Sequence, residues 1–302
     1  MQDQPEANSA TDKGIEQSNR SGFRFSLKSL LLLITLVAIG VGVLHQKWFV
    51  AWQAQKEAVR QIRAAEDGQR GSFHYEPVDD LPWWKLKIGD WLGKDAATRV
   101  VKLYAEGTGE LMDISAWTGM PSVESVGFDR AIVEDLSALG SLRNLKTVYI
   151  FQAGARQRPG QVGLEVLGKL KRLESVEIIS TQFSFNNEIF DSICDATSIT
   201  KFSFDAYWID DLSPLAKLEN LKELRMTVSR GGELKDLSAI GKLTKLKTLD
   251  LYLSEERQFD FSFLSGMEQL ETLVVSGRLT EDRKARIKAA VPDGCELTWF
   301  RP

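Results

Sequence analysis

Asp211-Leu212-Ser213-Pro214-Leu215-Ala216-Lys217-Leu218-Glu219-Asn220-Leu221-Lys222-Glu223-Leu224-Arg225-Met226 is the stretch on which the reading of this chain turns, because it recurs. Asp236-Leu237-Ser238-Ala239-Ile240-Gly241-Lys242-Leu243-Thr244-Lys245-Leu246-Lys247-Thr248-Leu249-Asp250-Leu251 fits it without a gap. A third copy runs from Asp135-Leu136-Ser137 to Val148-Tyr149-Ile150, and others open at Asp113-Ile114-Ser115 and Asp260-Phe261-Ser262. Two diverged copies keep the apolar frame alone: Leu164, Leu167, Leu170, Leu173, Val176 and Ile178, then Phe190, Ile193, Ala196, Ile199, Phe202 and Phe204. Starts fall at 113, 135, 163, 189, 211, 236 and 260, a period of 22 to 28 residues. Self-similarity at such a period marks a stacked repeat, in which each unit buries its apolar face only against its neighbours.

Within one unit, Leu221, Leu224 and Met226 face the core of a short strand while Glu223, Arg225 and Thr227 face out, as a period of two requires. Leu212, Leu215 and Leu218, spaced by three, suit a short helix or 3₁₀ return segment. Asp211 and Ser213 stand where side chains accept backbone N–H groups, so the recurring aspartates read as caps and not as catalytic carboxylates.

The pattern resembles the leucine-rich repeat, whose strand segment reads L-x-x-L-x-L, and its Asp-Leu-Ser-x-Leu opening is similar to the internalin-like bacterial subclass. The likeness covers residues 113–275. It implies an α/β fold: a leucine-rich-repeat solenoid with a curved parallel β-sheet on the concave side and short helical or 3₁₀ return segments on the convex side. The loop asparagine of many such repeats has no clear counterpart; Ser229, Ser254 and Ser276 lie near its place. An anchor followed by a helix and such repeats also resembles membrane-tethered bacterial repeat proteins.

Register then names the displayed side chains. They are Gly127 and Asp129, Tyr149 and Phe151, Glu177 and Ile179, Ser203 and Asp205, Arg225 and Thr227, Asp250 and Tyr252, Val274 and Ser276, with Tyr104 extending the row on a first strand begun by Val101 and Leu103. From these, Tyr104, Tyr149, Phe151, Glu177, Ile179, Arg225, Asp250 and Tyr252 are the expected partner-binding residues. Aromatics and arginine are the usual binding hot spots, and a contiguous apolar patch on an open face marks a contact site. The segment Gln152–Val162, with Arg156 and Arg158, is the longest departure from the repeat and reads as a surface loop.

Outward from the repeats, Thr280 opens a helix to about Val291, stopped by Pro292 and Gly294, before a strand at Cys295–Phe300. Residues 278–302 are thus an expected C-terminal cap, and 101–277 the repeats. Residues 53–66 read as a helix, 72–76 as a short strand, and Trp83, Trp84 and Trp91 as part of an N-terminal cap, giving a unit of 53–100. Leu30–Leu44 carries no charge, and Trp48–Trp52 continues it past His45-Gln46-Lys47. A helix over 29–52 is long enough for roughly 30 Å of hydrocarbon, so a transmembrane anchor in a lipid bilayer is expected there. The tail 1–28 reads as disordered. Flanking charges tie at about three positive on each side, leaving the short tail to favour an extracytoplasmic repeat domain at the cell membrane.

Composition narrows function. Thirty-eight Lys and Arg against 42 Asp and Glu give a net charge of −4, unlike the basic excess of a nucleic-acid binder. Two cysteines, Cys194 and Cys295, lie about four repeats apart and read as small buried residues; with two histidines, His45 and His74, they leave no metal-ligand set or nucleophile–base pair. No cofactor, small-molecule substrate or enzyme activity is expected. The sequence points to a membrane-tethered module that binds a protein or cell-envelope polymer on its concave sheet. The alternative is an envelope spacer without a specific ligand.

Overall fold

Alternation of apolar and polar residues at each template end forces one strand per repeat, and the strands stack in sequence order. In the computed structural model they are β1 (Lys102–Glu106), β3 (Ser125–Asp129), β5 (Thr147–Phe151), β6 (Ser175–Ile179), β7 (Lys201–Asp205), β8 (Glu223–Val228), β9 (Thr248–Leu253), β10 (Thr272–Gly277) and β11 (Glu296–Phe300). Among the described residues every neighbouring pair is parallel, and the sheet has nine strands. A two-stranded parallel pair, β2 (Leu111–Met112) with β4 (Ile132–Val133), lies outside it. The structure describes residues 27–44, 53, 56, 60, 100–107, 111–120, 122–133, 135–154, 163–180, 185–228, 232, 234–253 and 259–300.

Register is locked from both sides. Core-facing residues align strand to strand, as Val126, Val148, Val176, Phe202, Leu224, Leu249 and Leu273 do, and each is at most 1% exposed. A one-residue slip would turn all of them to water. Just before each strand the backbone repeats one bond: Lys222 N–H to the Thr200 carbonyl, Lys247 N–H to Lys222 and Glu271 N–H to Lys247, each 2.8 Å.

Most return segments are 3₁₀ turns, for example Ser213–Lys217, Ser238–Lys242 and Ser262–Gly266. Spacing by three puts Leu212, Leu215 and Leu218 on one buried edge. Each Asp-Leu-Ser opening folds into an Asx turn: Asp211 Oδ1 accepts the Ser213 N–H at 2.8 Å and Oδ2 the Ser213 hydroxyl at 2.6 Å. Asp135, Asp236 and Asp260 do the same with their own serines. The aspartates are structural, as the sequence suggests, but they brace the turn ahead of the helix; the helical segment itself receives no side-chain cap. One diverged repeat replaces the 3₁₀ turn with an α-helix, α2 (Asn187–Cys194), whose N-cap Asn186 accepts the Ile189 N–H at 3.1 Å.

At the far end, Thr280 Oγ1 accepts the Arg283 N–H and starts α3 (Glu281–Ala290), which buries Ile287. β11 then pairs with β10, so Cys295 beside this last strand is half-buried, whereas Cys194 inside the stack is fully buried. The expected burial of both cysteines holds for Cys194 alone.

The N-terminal unit contains one helix of stated bounds, α1 (Leu27–Leu44). Its eighteen residues rise about 27 Å. Among the described residues, no helix is long and apolar enough to cross a membrane. Of the expected span over 29–52, residues 29–44 lie in this helix, which also takes in Leu27 and Lys28, and Gln53 beyond it is helical as well. Residues 45–52, residues 1–26 of the expected tail, most of the helix expected over 53–66, the strand expected at 72–76 with His74, and the tryptophan-rich segment around Trp83, Trp84 and Trp91 lie outside the described residues.

Candidate functional site

The sheet turns one face to the leucine core and leaves the other open, and parallel register sorts the open face into three rows running across the strands. The first holds Lys102, Ser125, Thr147, Ser175, Lys201, Glu223, Thr248, Thr272 and Glu296. Tyr104, Gly127, Tyr149, Glu177, Ser203, Arg225, Asp250, Val274 and Thr298 form the second. The third, at the C-terminal strand ends, holds Glu106, Asp129, Phe151, Ile179, Asp205, Thr227, Tyr252, Ser276 and Phe300. All eight expected binding residues therefore fall on this face, but the structure divides them into two groups.

One group centres on β5 and β6. Tyr149 and Phe151 stack at 6.3 Å between ring centroids, and Phe151 sits directly beside Ile179 in the register. Phe151 and Ile179 are both half-buried on this face. Tyr104 leans over Gly127, where a Cβ would come within 2.4 Å of its ring, and its hydroxyl donates to Asp129 Oδ2 at 3.3 Å. Burial and then the Asp129 carboxylate push the Tyr104 and Tyr149 phenols above their ordinary range. Three residues just past this corner, Arg130, Gln152 and Ser180, adopt left-handed backbone with φ of 52°, 50° and 53°. Such conformations cost non-glycine residues on the order of 1 kcal/mol or more, so surrounding hydrogen bonds must hold them. Arg130 N–H does bond to the Phe151 carbonyl, at 2.8 Å, and Gln152 N–H to the Ile179 carbonyl, at 3.0 Å.

The other group lies on β8 and β9. Arg225 Nε donates to Asp250 Oδ2 at 2.8 Å, with Tyr252 in the neighbouring row. Between the groups stands β7, where Ser203 is buried and Lys201 reaches Glu177 at 3.4 Å and Glu223 at 3.7 Å. Arg225 is three strand steps from Tyr149, about 14 Å at ~4.8 Å per step, and is already paired. It does not join the aromatic group.

Seven strand-and-return units in one all-parallel stack, closed by a helix and a ninth strand, decide the architecture. The fold is a leucine-rich-repeat solenoid. Solved structures of similar shape include internalin C2 from Listeria monocytogenes (16% identity, 66% of this chain and 80% of that one, TM-score 0.47). Others are a leucine-rich-repeat protein from Leptospira interrogans (17%, 62% and 54%, TM-score 0.40) and TLR13 in complex with ssRNA13 (18%, 62% and 30%, TM-score 0.43). No family model and no curated protein matches the sequence.

Two features of this solenoid escape the sequence reading. Tyr207 and Trp208, directly beyond β7, are 39% and 49% exposed and pack edge to face at 4.7 Å. The signal was present as two consecutive aromatics that fit neither the inward period nor a turn. A cleft of about 820 Å³ also lies between the last return turn and α3, lined by Phe259, Phe261, Arg278, Arg283 and Arg286 among others. The Arg283 guanidinium rests 5.5 Å above the Phe261 ring, and burial lowers its pKa. No sequence period could have joined residues from two such elements. The segment Gln152–Val162 is also not all surface, since Ala153 and Gly154 are buried and Gly154 bonds across to Ala131 and Val133; residues 155–162 lie outside the described set.

Among the described residues no activated nucleophile stands out. Burial suppresses ionisation of the Cys194 thiol, holding it protonated. Nearby Lys217, pushed up to about 12 by hydrogen bonds from its ammonium to Asp191 and Asp195, ties a return turn to α2. Among the described residues no cluster of three or more His, Cys, Asp or Glu could hold a metal ion.

Proposed function

We propose that this chain is a tethered interaction module that binds a protein or cell-envelope polymer on the open face of its sheet. The observation that carries the reading is the Tyr149–Phe151–Ile179 group: three large side chains side by side on the face away from the core, with backbone strain at its edge. Apolar groups left partly in water forfeit roughly 1.5–3 kcal/mol each relative to full burial, and a partner recovers that energy. Tethering is supported by the uncharged run Leu30–Leu44, whose large side chains from Leu30 to Ile39 stand exposed on α1, and by its apolar continuation to Trp52. The proposal puts the repeat domain outside the cytoplasmic membrane. The partner set we propose excludes nucleic acid and small-molecule substrates, consistent with the net charge of −4.

A photo-crosslinking phenylalanine analogue at position 151 of the full chain, compared with one at position 272, tests the binding reading. One stoichiometric adduct from position 151 and none from position 272 is the expected result; equal or absent adducts would sink it. An impermeant lysine label applied to intact cells, after any outer layer is opened, tests the topology. Repeat lysines should react before the inner membrane is broken.

A further inference from the structure

The open face is not evenly charged. Its first row is balanced, with Lys102 and Lys201 against Glu223 and Glu296, and its second holds Arg225 against Glu177 and Asp250. Glu106, Asp129 and Asp205 belong to the third row, which holds no cation at all. Among the described residues Arg130, reaching back from a strand end to Glu106 at 2.6 Å and to Asp129 at 3.3 Å, offsets it. This is also the row of Phe151 and Ile179, so two adjacent apolar side chains are bracketed by Asp129 on one flank and on the other by Asp205, whose Oδ2 accepts the N–H of Ser180, the residue after Ile179. Asp129 Oδ1 is buried and accepts no hydrogen bond among the described residues, because Arg130 Nε lies within ion-pair distance without hydrogen-bond geometry. That oxygen is closed to solvent and ion-paired with Arg130, so Asp129 contributes its charge to this row rather than a vacant acceptor.

We propose that this third row docks a basic, apolar polypeptide segment of another protein, with cations against Asp129 and Asp205 and an apolar side chain between them on Phe151 and Ile179. The proposal rests on the open face being the binding surface. Spacing supports it: the two aspartates stand three strand steps apart, about 14 Å, and an extended segment rises about 3.3 Å per residue. Side chains four residues apart in such a segment span that distance on one face, with the side chain midway between them on the same face. The complementary ligand is therefore Lys/Arg-x-apolar-x-Lys/Arg. Opposite charge across an interface chiefly raises association rate and selectivity, so binding should weaken as salt rises.

The test uses the full chain and two fluorescein-labelled peptides, one built on Lys-Ser-Leu-Ser-Lys and one on Glu-Ser-Leu-Ser-Glu, read by fluorescence polarisation. The lysine peptide should bind at least tenfold more tightly at low salt, and Asp129→Asn with Asp205→Asn, which preserves both side-chain acceptors, should erase that preference. Equal binding of the two peptides, abolished by Phe151→Ser with Ile179→Ser, overturns the charge proposal but leaves the open face as the binding surface. Binding that no open-face substitution alters, or no binding of the lysine peptide, overturns the proposal, and the former also counts against the open face. Binding seen only after Arg156→Ser and Arg158→Ser would assign the row to the chain's own basic segment and overturn the intermolecular partner.

Discussion

Strands β5 and β6 and strands β8 and β9 occupy equivalent places in the same sheet and present opposite chemistry on the same register positions. Toward the core they are interchangeable: Val148, Ile150, Val176 and Ile178 on one pair, Leu224, Met226, Leu249 and Leu251 on the other, all at most 1% exposed. On the open face one pair shows Tyr149, Phe151, Glu177 and Ile179, and the other Arg225, Thr227, Asp250 and Tyr252. The second set satisfies itself, because Arg225 and Asp250 form an ion pair across adjacent strands. The first leaves apolar surface that only a further molecule or segment could cover. The core side of a repeat is constrained by stacking, so any individuality must be written on the other side.

The comparison predicts its own largest effect within one strand. Leu224→Ala should cost about 2–5 kcal/mol in denaturant melts of the full chain, from lost transfer energy plus a cavity. Glu223→Ala, one residue away and exposed, should stay within about 0.5 kcal/mol. Equal losses would place the strand in the wrong register.

On the open face, Phe151→Ser combined with Ile179→Ser should destabilise by less than Ile150→Ala alone, whose deleted side chain is fully buried and costs about 2–5 kcal/mol. A melt of the double variant as damaged as that of Ile150→Ala would mean that the apolar pair belongs to the core. The Arg225–Asp250 pair is exposed at Arg225 and should contribute no more than about 1 kcal/mol, falling toward zero in high salt. A double-mutant cycle at two salt concentrations measures it; a coupling that salt leaves unchanged would contradict a solvent-screened pair.

The smallest expected effect is a pH dependence. Hydrogen bonds from the Ser213 hydroxyl and N–H lower the Asp211 pKa, and Ser238 does the same for Asp236. A carboxylate with a depressed folded pKa contributes stability that is present above its ordinary value of about 3.9 and is lost as pH falls through the folded value. Both groups are almost fully exposed, so the contribution per turn is small. Asp211→Asn should reduce the acid-induced loss of stability below about pH 4 while changing the melt at neutral pH little. An unchanged acid limb would show that the turn does not depend on the charge.

The repeat frame was legible before any coordinates because stacking demands the same apolar positions each time. Leu212, Leu215, Leu218, Leu221, Leu224 and Met226 could be assigned to the core from spacing alone, and their alternation assigned Glu223 and Arg225 to the open face. That Asp211 and Asp236 accept backbone N–H groups was legible for the same reason, since the bond is a local event; that it braces an Asx turn and leaves the helical segment uncapped was not. Which displayed residues meet was not legible. Sequence puts Tyr149 and Arg225 in one row, but their separation across three strands and the capture of Arg225 by Asp250 are lateral facts about neighbours some 25 residues away.

By itself, then, the sequence determined the repeat, the strand, the side each residue faces and the acid–apolar composition of the third row, because all of these follow from periodicity along the chain. Only the tertiary structure decided that Phe151 and Ile179 stand half-buried side by side, that Tyr104 folds over Gly127 toward Asp129, and that Tyr207 and Trp208 stand out beyond β7. Those outcomes depend on side-chain sizes in adjacent repeats and on how each loop leaves its strand. No period in one chain encodes them.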